Sequence, residues 1–279
     1  MKFSAVLAMI ASSIALVQAS TPHAAPARRS RLAGIPDRTN TEFVGHKQNT
    51  TSHEARKTGH TLINVKSTCG AIGATKLITA VSGPNGNLEW LNCGMNAAGW
   101  TPPHMTVNDI VHMDLATALQ DPNSPFKTCS AYLGAFEQFG NQFGVPPILL
   151  ASFALQESSC NPNTIGGAGE QGIMQITKEK CAGATNCLDP WFNIMTGAKY
   201  FANTLNANNG DLLKSIGSYN GWFTGMTYND ATKAAHTGCC HCQNNLDYLH
   251  QFLNGWMMNV DAYMHNPKLG KYFNLNVCK

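Results

Sequence analysis

Charged side chains are scarce in this 279-residue chain, at 13% of positions, while hydrophobic ones reach 43%. A surface built on ion-pair networks is thereby excluded, and core formers are too abundant for a chain disordered throughout. Beyond the first nineteen residues there is no run of eighteen apolar residues, so no membrane-spanning helix is expected there. Basic charge is also missing from the body: residues 1–66 hold nine Lys and Arg against three Asp and Glu, whereas residues 67–279 hold ten against thirteen. Such a body lacks an electrostatic footprint for phosphate backbones or anionic lipid, so nucleic acid is not an expected partner. Residues 20–66 have no Trp, Tyr or Cys and a single Phe, too little apolar surface to order a segment by burial.

Turning to what is present, Lys2 precedes an apolar run from Ala5 to Val17, and Val17-Gln18-Ala19 is a small-residue cleavage pattern. Residues 1–19 therefore read as a signal peptide, and the remainder as a secreted, extracellular chain without membrane contact once that peptide is removed. Residues 20–66, with Arg28-Arg29 and the sequon Asn49-Thr50-Thr51, read as a disordered linker or a propeptide. All ten cysteines lie downstream, at 69, 93, 129, 160, 181, 187, 239, 240, 242 and 278. In an exported protein an even count reads as up to five disulfides, and Cys181 with Cys187 would close a short loop. A zinc site at Cys239-Cys240-His241-Cys242 is the alternative, but those ligands are crowded more tightly than the usual spaced pairs.

Residues 67–127 read as a small N-terminal extension. Within it, Leu77 to Leu91 has a β-branched run, a Gly83-Pro84-Asn85-Gly86 turn cluster and Leu88 to Leu91, which predict one small hairpin. Thr106 with Asp109 forms a capping-box start, followed by an approximate helical stripe of Ile110, Met113, Leu115 and Leu119. From residue 128 to 279 the chain reads as helices. Tyr132, Phe136, Phe139 and Phe143 recur at spacings of three and four, and Pro146-Pro147 sets the start of an apolar helix ending at Glu157. Further helices fit Phe192 to Leu205, Asp211 to Tyr219 and Leu246 to Tyr263. The fold class is therefore mainly α, disulfide-braced, with a small hairpin-containing extension.

Glu157 stands out because an unpartnered carboxylate at the end of an apolar helix costs several kcal/mol unless it takes up a proton. The bland alternative is a helix-end Glu pointing into water. Four blocks decide the weighting: Ala154-Leu155-Gln156-Glu157-Ser158-Ser159-Cys160-Asn161-Pro162, Gly169-Glu170-Gln171-Gly172-Ile173-Met174-Gln175-Ile176, Asn193 to Phe201, and Ser218-Tyr219-Asn220-Gly221. In this order and spacing they resemble the goose-type lysozyme and soluble lytic transglycosylase family, glycoside hydrolase family 23, over about Cys129 to Asn220. The resemblance implies a lysozyme-like helical domain that cleaves the β-1,4 link between N-acetylmuramic acid and N-acetylglucosamine in peptidoglycan. It makes Glu157 the acid that protonates the bridging oxygen, and an apolar pocket raises a carboxyl pKa to roughly 6, which keeps a proton available.

The resemblance further implies that Ser158 orients the acid, that Met174 and Gln175 line the sugar groove, and that Tyr219 and Asn220 hold the acid and the substrate by hydrogen bonds. Trp222 fits either sugar stacking or the core, Trp191 fits packing, and His236, His241 and His250 have no role in the motif. No metal or other cofactor is required, and a monomer acting on peptidoglycan or a related amino-sugar polymer is expected. Three positions depart from the pattern: Gly166 stands where a Ser is common, Glu170 where a small residue is common, and Thr177 where goose-type enzymes carry an Asp. Lytic transglycosylation and hydrolysis therefore both stay open. Glu170 is either a second carboxylate that activates water or a loop acid paired with Lys178 or Lys180, or solvated. A chitin-cleaving enzyme on the same fold and a catalytically silent glycan-binding effector are the rivals.

Overall fold

A computed structural model describes residues 62–166 and 169–278. The expected signal peptide and most of the expected linker or propeptide lie outside the described residues. The described residues are helical, with no strand and only isolated bridges joining Ile165 to Gln171 and Gln171 to Ile176.

Local chemistry explains where the helices begin and end. Helix α1 (Leu88–Leu91) is capped by Asn87, which accepts from the Trp90 amide, and α2 (Leu115–Ala118) by Asp114, which accepts from the Thr117 amide. A 3-10 turn over Pro125–Tyr132 leads into α3 (Leu133–Phe143), which stops at Gly144 in the left-handed region. Pro147 then occupies the first turn of α4 (Pro147–Ser158), where its missing amide costs nothing. Asp189 caps α5 (Pro190–Ala207), Asp211 caps α6 (Leu212–Tyr219), and Thr227 with Asp230 forms a capping box on α7 (Tyr228–Thr232).

Helix α4 is the axis of the fold. Every residue from Ile148 to Ala154 is buried, as expected of a helix that is apolar all round, and the Ser152 hydroxyl satisfies itself on the Ile148 carbonyl at 2.7 Å. It is covered by α3 and α5 and, through Phe153, by Phe201, Tyr219 and Phe252. All ten cysteines are paired, as 69–93, 129–160, 181–187, 239–242 and 240–278. The 181–187 loop closes as anticipated, and the thiols that a zinc site at 239–242 would need are consumed.

Three expectations are corrected. The predicted hairpin from Leu77 to Leu91 does not form, because Asn87 terminates the turn at Gly83–Gly86 as a helix cap and turns Leu88 and Leu91 inward as helical core residues. The capping-box pair is present, with Asp109 accepting from the Thr106 amide and hydroxyl at 2.8 and 2.7 Å, but it closes a turn and the helix waits until Leu115. The predicted helix from Leu246 to Tyr263 is broken: α8 (Tyr248–His250) runs into a π turn over Gln251–Gly255 and a 3-10 turn over Trp256–Met258, then stops at left-handed Asn259. Its physical cause is insertion of the N-terminal segment, since the Asn254 side chain accepts from the Asn85 amide at 2.8 Å and donates to the Gly86 carbonyl at 3.0 Å.

The extension is part of the main fold. One hydrophobic core runs from Ile63 to Leu269 and crosses residue 127 without a break. Asn85 alone ties three segments, donating to the carbonyls of Val111 and Leu253 and accepting from the Val111 amide. Residues 62–66, expected to be part of the linker, join the fold because Ile63 buries its side chain and its amide donates to Pro84.

Candidate active site

Glu157 sits half-buried in the last turn of α4. The helix is stopped abruptly by two consecutive non-glycine residues with positive φ, Ser159 (53°) and Cys160 (59°), and the Cys129–Cys160 disulfide pins that bend. Such backbone is costly for residues with a Cβ, and it lets the chain reverse directly after the acid. Ser158 secures the reversal, its hydroxyl lying 3.0 Å from the Ala154 carbonyl and 2.8 Å from that of Ile173. The Glu-Ser pair and the Gly-Ile-Met-Gln turn are thus joined directly.

That turn is built by its own polar groups. Gly172 adopts φ of 76°, and a Cβ there would run into the Asn193 amide. Asn193, buried on α5, accepts from the Met174 amide at 2.7 Å and donates to the carbonyls of Gln171 and Cys187, both at 2.9 Å. Gln175, at φ of 50°, donates to the Thr164 and Gly172 carbonyls at 2.7 and 2.6 Å. Met174 packs against α5 at Gly197, where a Cβ would stand 2.8 Å from its own Cβ. Both Met174 and Gln175 are fully buried in this structure, so they shape the loop from beneath.

Tyr219 lies at the end of α6, buried, with its ring stacked on Phe153 at 4.0 Å and edge-on to Tyr200 at 5.8 Å. Asn220 follows as the cap of α6. Its carbonyl accepts from Asn244 at 2.7 Å and its side-chain oxygen from the Asn245 amide at 3.0 Å, which docks the C-terminal segment on the end of α6. Glu170 is 6% exposed, on the turn where its carbonyl accepts from Gly166, so the fully solvated alternative is ruled out.

The structure places two tryptophans that the sequence singled out, choosing the core for Trp222 and the surface for Trp191. Trp222 is 3% exposed and stands edge-on to Trp100 at 4.9 Å, which makes it a core residue unable to present its face to a sugar. Trp191, expected to pack inside, is 48% exposed and touches Phe139 only by an edge contact at 5.3 Å.

Sequence reasoning missed the residues that reach α4 from the C-terminal segment. Gln156 accepts from the Trp256 indole at 2.7 Å and donates to the Tyr263 hydroxyl at 2.7 Å. Burial pushes the Tyr263 phenol up to about 12, against the Gln156 bond, and the charges of Asp261, Glu157 and Asp247 add to the rise. The phenol thus stays protonated and within electrostatic reach of the acid. No local signal marks Tyr263; an aromatic forty-odd residues past the last motif is visible only when the chain is folded. His250, which has no role in the motif, is fully buried, between Thr79 and Asn254. Among the described residues no group of three His, Cys, Asp or Glu side chains is arranged to hold a metal.

Residues 134–236, from α3 to just past α7, match the family described as the transglycosylase SLT domain. A membrane-bound lytic murein transglycosylase F 1 of Alkalilimnicola ehrlichii is 38% identical over 72 residues, which are 25% of this chain and 15% of that protein. A transglycosylase of Enterobacteria phage PRD1 is 34% identical over 95 residues, 33% of this chain and 36% of that one. The chain therefore spans well under half the length of these curated relatives. Among solved structures, the 70-kDa soluble lytic transglycosylase bound to bulgecin A superposes with a TM-score of 0.31 at 25% identity, covering 33% of this chain and 17% of that one. The segment that matches the transglycosylase SLT domain model contains all four sequence blocks and the turn that joins Ser158 to Ile173.

Proposed function

We propose that this protein cleaves the β-1,4 link between N-acetylmuramic acid and N-acetylglucosamine in peptidoglycan by lytic transglycosylation, with Glu157 as the general acid. The observation that carries the reading is the junction of the Glu-Ser pair to the Gly-Ile-Met-Gln turn through the Ser158–Ile173 hydrogen bond, within a matched family segment. A glycosidic oxygen leaves poorly until protonated. Glu157 stands half-buried in the last turn of α4, where the chain reverses directly after it.

In the proposed step Glu157 gives its proton to the bridging oxygen as the C1–O bond breaks. The C6 hydroxyl of the same muramoyl unit then bonds to C1 and returns its proton to the Glu157 carboxylate. One acid serves both half-steps, and no water enters. The product is a 1,6-anhydro-muramoyl end. Five disulfides support a place of work outside the reducing cytoplasm, in keeping with the leader-like first nineteen residues.

Digestion of purified peptidoglycan and of chitin, with products weighed by mass spectrometry, tests this directly. Anhydro-muramic products from peptidoglycan are expected, and Glu157→Gln should abolish them without loss of fold. Cleavage of chitin alone, or no turnover of either polymer by the folded protein, would overturn the proposal in favour of the chitinolytic or the silent glycan-binding reading.

A further inference from the structure

Asn220 is held by residues that lie past the matched segment, which ends at residue 236. Its backbone carbonyl is taken by the Asn244 side chain and its Oδ1 by the Asn245 amide. With Oδ1 engaged, the orientation of the side-chain amide is set, and Nδ2 is the end left to donate to a ligand oxygen. Gly221 makes room for this contact, since it adopts φ of 79° and a Cβ there would stand 2.9 Å from the Asn244 side-chain nitrogen.

The strip of chain that grips Asn220 is itself gripped by one buried side chain. Asn274, 7% exposed, opens the 3-10 turn over Asn274–Val277. Its Oδ1 accepts from the Leu246 amide at 3.0 Å, and its Nδ2 donates to the Asn244 carbonyl at 3.0 Å and to the Gln243 side chain at 3.2 Å. Both ends of this amide are thus spent on residues 243–246, and a buried amide is expensive to leave unmade. The backbone that leads into Asn274 is fixed by Asp247, whose carboxylate accepts from the Lys271, Tyr272 and Phe273 amides at 2.8, 3.1 and 2.7 Å. After Asn274 the Cys240–Cys278 disulfide ties the turn back to the same strip, with the Gln243 side-chain nitrogen 3.3 Å from the Cys278 sulfur. Among the described residues the hydrophobic core reaches Leu269 and leaves this turn out. Directed hydrogen bonds and a disulfide therefore hold the turn, and these fix orientation as non-directional burial does not.

We infer that Asn274 is a positioning residue for substrate binding. It acts through Asn244 and Asn245 to aim the Asn220 amide at a hydroxyl or acetamido oxygen of the glycan, and the Cys240–Cys278 disulfide keeps it seated. The inference rests on the proposed function and adds to it a latch from outside the matched segment.

The test reads substrate binding and turnover side by side. Asn274→Ala should raise KM for soluble peptidoglycan fragments about fivefold, the worth of one hydrogen bond, and leave kcat within about twofold of the parent. In the Glu157→Gln background, which binds without turnover, calorimetry with a peptidoglycan tetrasaccharide should show the same loss of affinity. Asn220→Ala supplies the decisive background. Asn274→Ala added to it should cost less than about twofold more, because a residue that acts through Asn220 then has nothing left to position. Cys240→Ser and Cys278→Ser together keep Asn274 but unfasten its turn; affinity should fall in the same direction, and this pair decides by the same cycle if Asn274→Ala does not fold. An unchanged KM and affinity in a folded variant, or a loss as large in the Asn220→Ala background as in the parent, overturns the inference, while cleavage by the parent leaves the proposed function standing. If the unmutated protein leaves peptidoglycan intact, the proposed function itself falls and the inference with it.

Discussion

Gln156, the residue before Glu157, meets the Tyr263 hydroxyl at 2.7 Å across 107 positions of chain. The same amide accepts from the Trp256 indole at 2.7 Å, so both of its ends are held from the C-terminal segment. The last turn of α4, and the acid on it, is thereby fixed from a side that the family motifs do not describe.

Tyr263 is accordingly a positioning residue. Tyr263→Phe should lower kcat by about tenfold to a hundredfold through misplacement of the acid, with KM within twofold of the parent. The net cost to stability should be about 1 kcal/mol, the worth of one hydrogen bond. Steady-state kinetics beside urea unfolding checks this, and a change confined to stability would show the tyrosine to be merely structural.

Gly172→Ala should destabilise by roughly 1–3 kcal/mol, because the new Cβ needs a left-handed backbone and meets the Asn193 amide. Asn193 must then release the Met174 amide or the Gln171 carbonyl, which unlatches the turn from α5. Activity should fall further than the unfolded fraction explains. Denaturant midpoints and specific activity of the remaining folded protein are the readouts.

His250 makes stability depend on pH. It is buried and neutral, with Nδ1 accepting from Asn254 at 3.0 Å and Nε2 donating to the Thr79 carbonyl at 3.3 Å, and burial lowers its pKa from 6.5 to about 4. The unfolded chain binds that proton more readily, so the contribution is fully present above about pH 6.5 and is lost as the pH falls to about 4. A shift of this size is worth roughly 3 kcal/mol. Urea unfolding between pH 7 and 4 should show the decline, and the imidazole NMR signal should hold its neutral shift at pH 5.5.

Replacing Glu170 distinguishes two chemistries. If it activates water, products carry reducing ends, and Glu170→Gln should cost at least about 10²-fold in rate, the low end for a general base. If the C6 hydroxyl attacks, as proposed, products weigh one water less and Glu170→Gln changes only the stability of its buried turn. Product mass separates the outcomes.

The helices were legible because their signals are local. Pro147 in a first turn, Asp189 and Asp211 as caps and Gly144 as a stop act within a few residues of chain, and spacing of three and four puts apolar side chains on one face whatever surrounds them. Glu157, Ser158 and the Gly-Ile-Met-Gln turn were legible for the same reason, since each motif is short and the turn's geometry is written in Gly172. What no window of sequence carries is partnership over distance. Asn254 opened the helix after His250 to take in Asn85, Trp222 turned onto Trp100, and Tyr263 reached Gln156. Each depends on a partner more than ten residues away or on the space left by other elements, and that is set only when the core from Ile63 to Leu269 closes. Composition and periodicity determined that this chain would be a disulfide-braced helical protein with an acid at the end of an apolar helix; tertiary packing alone decided what holds that acid in place.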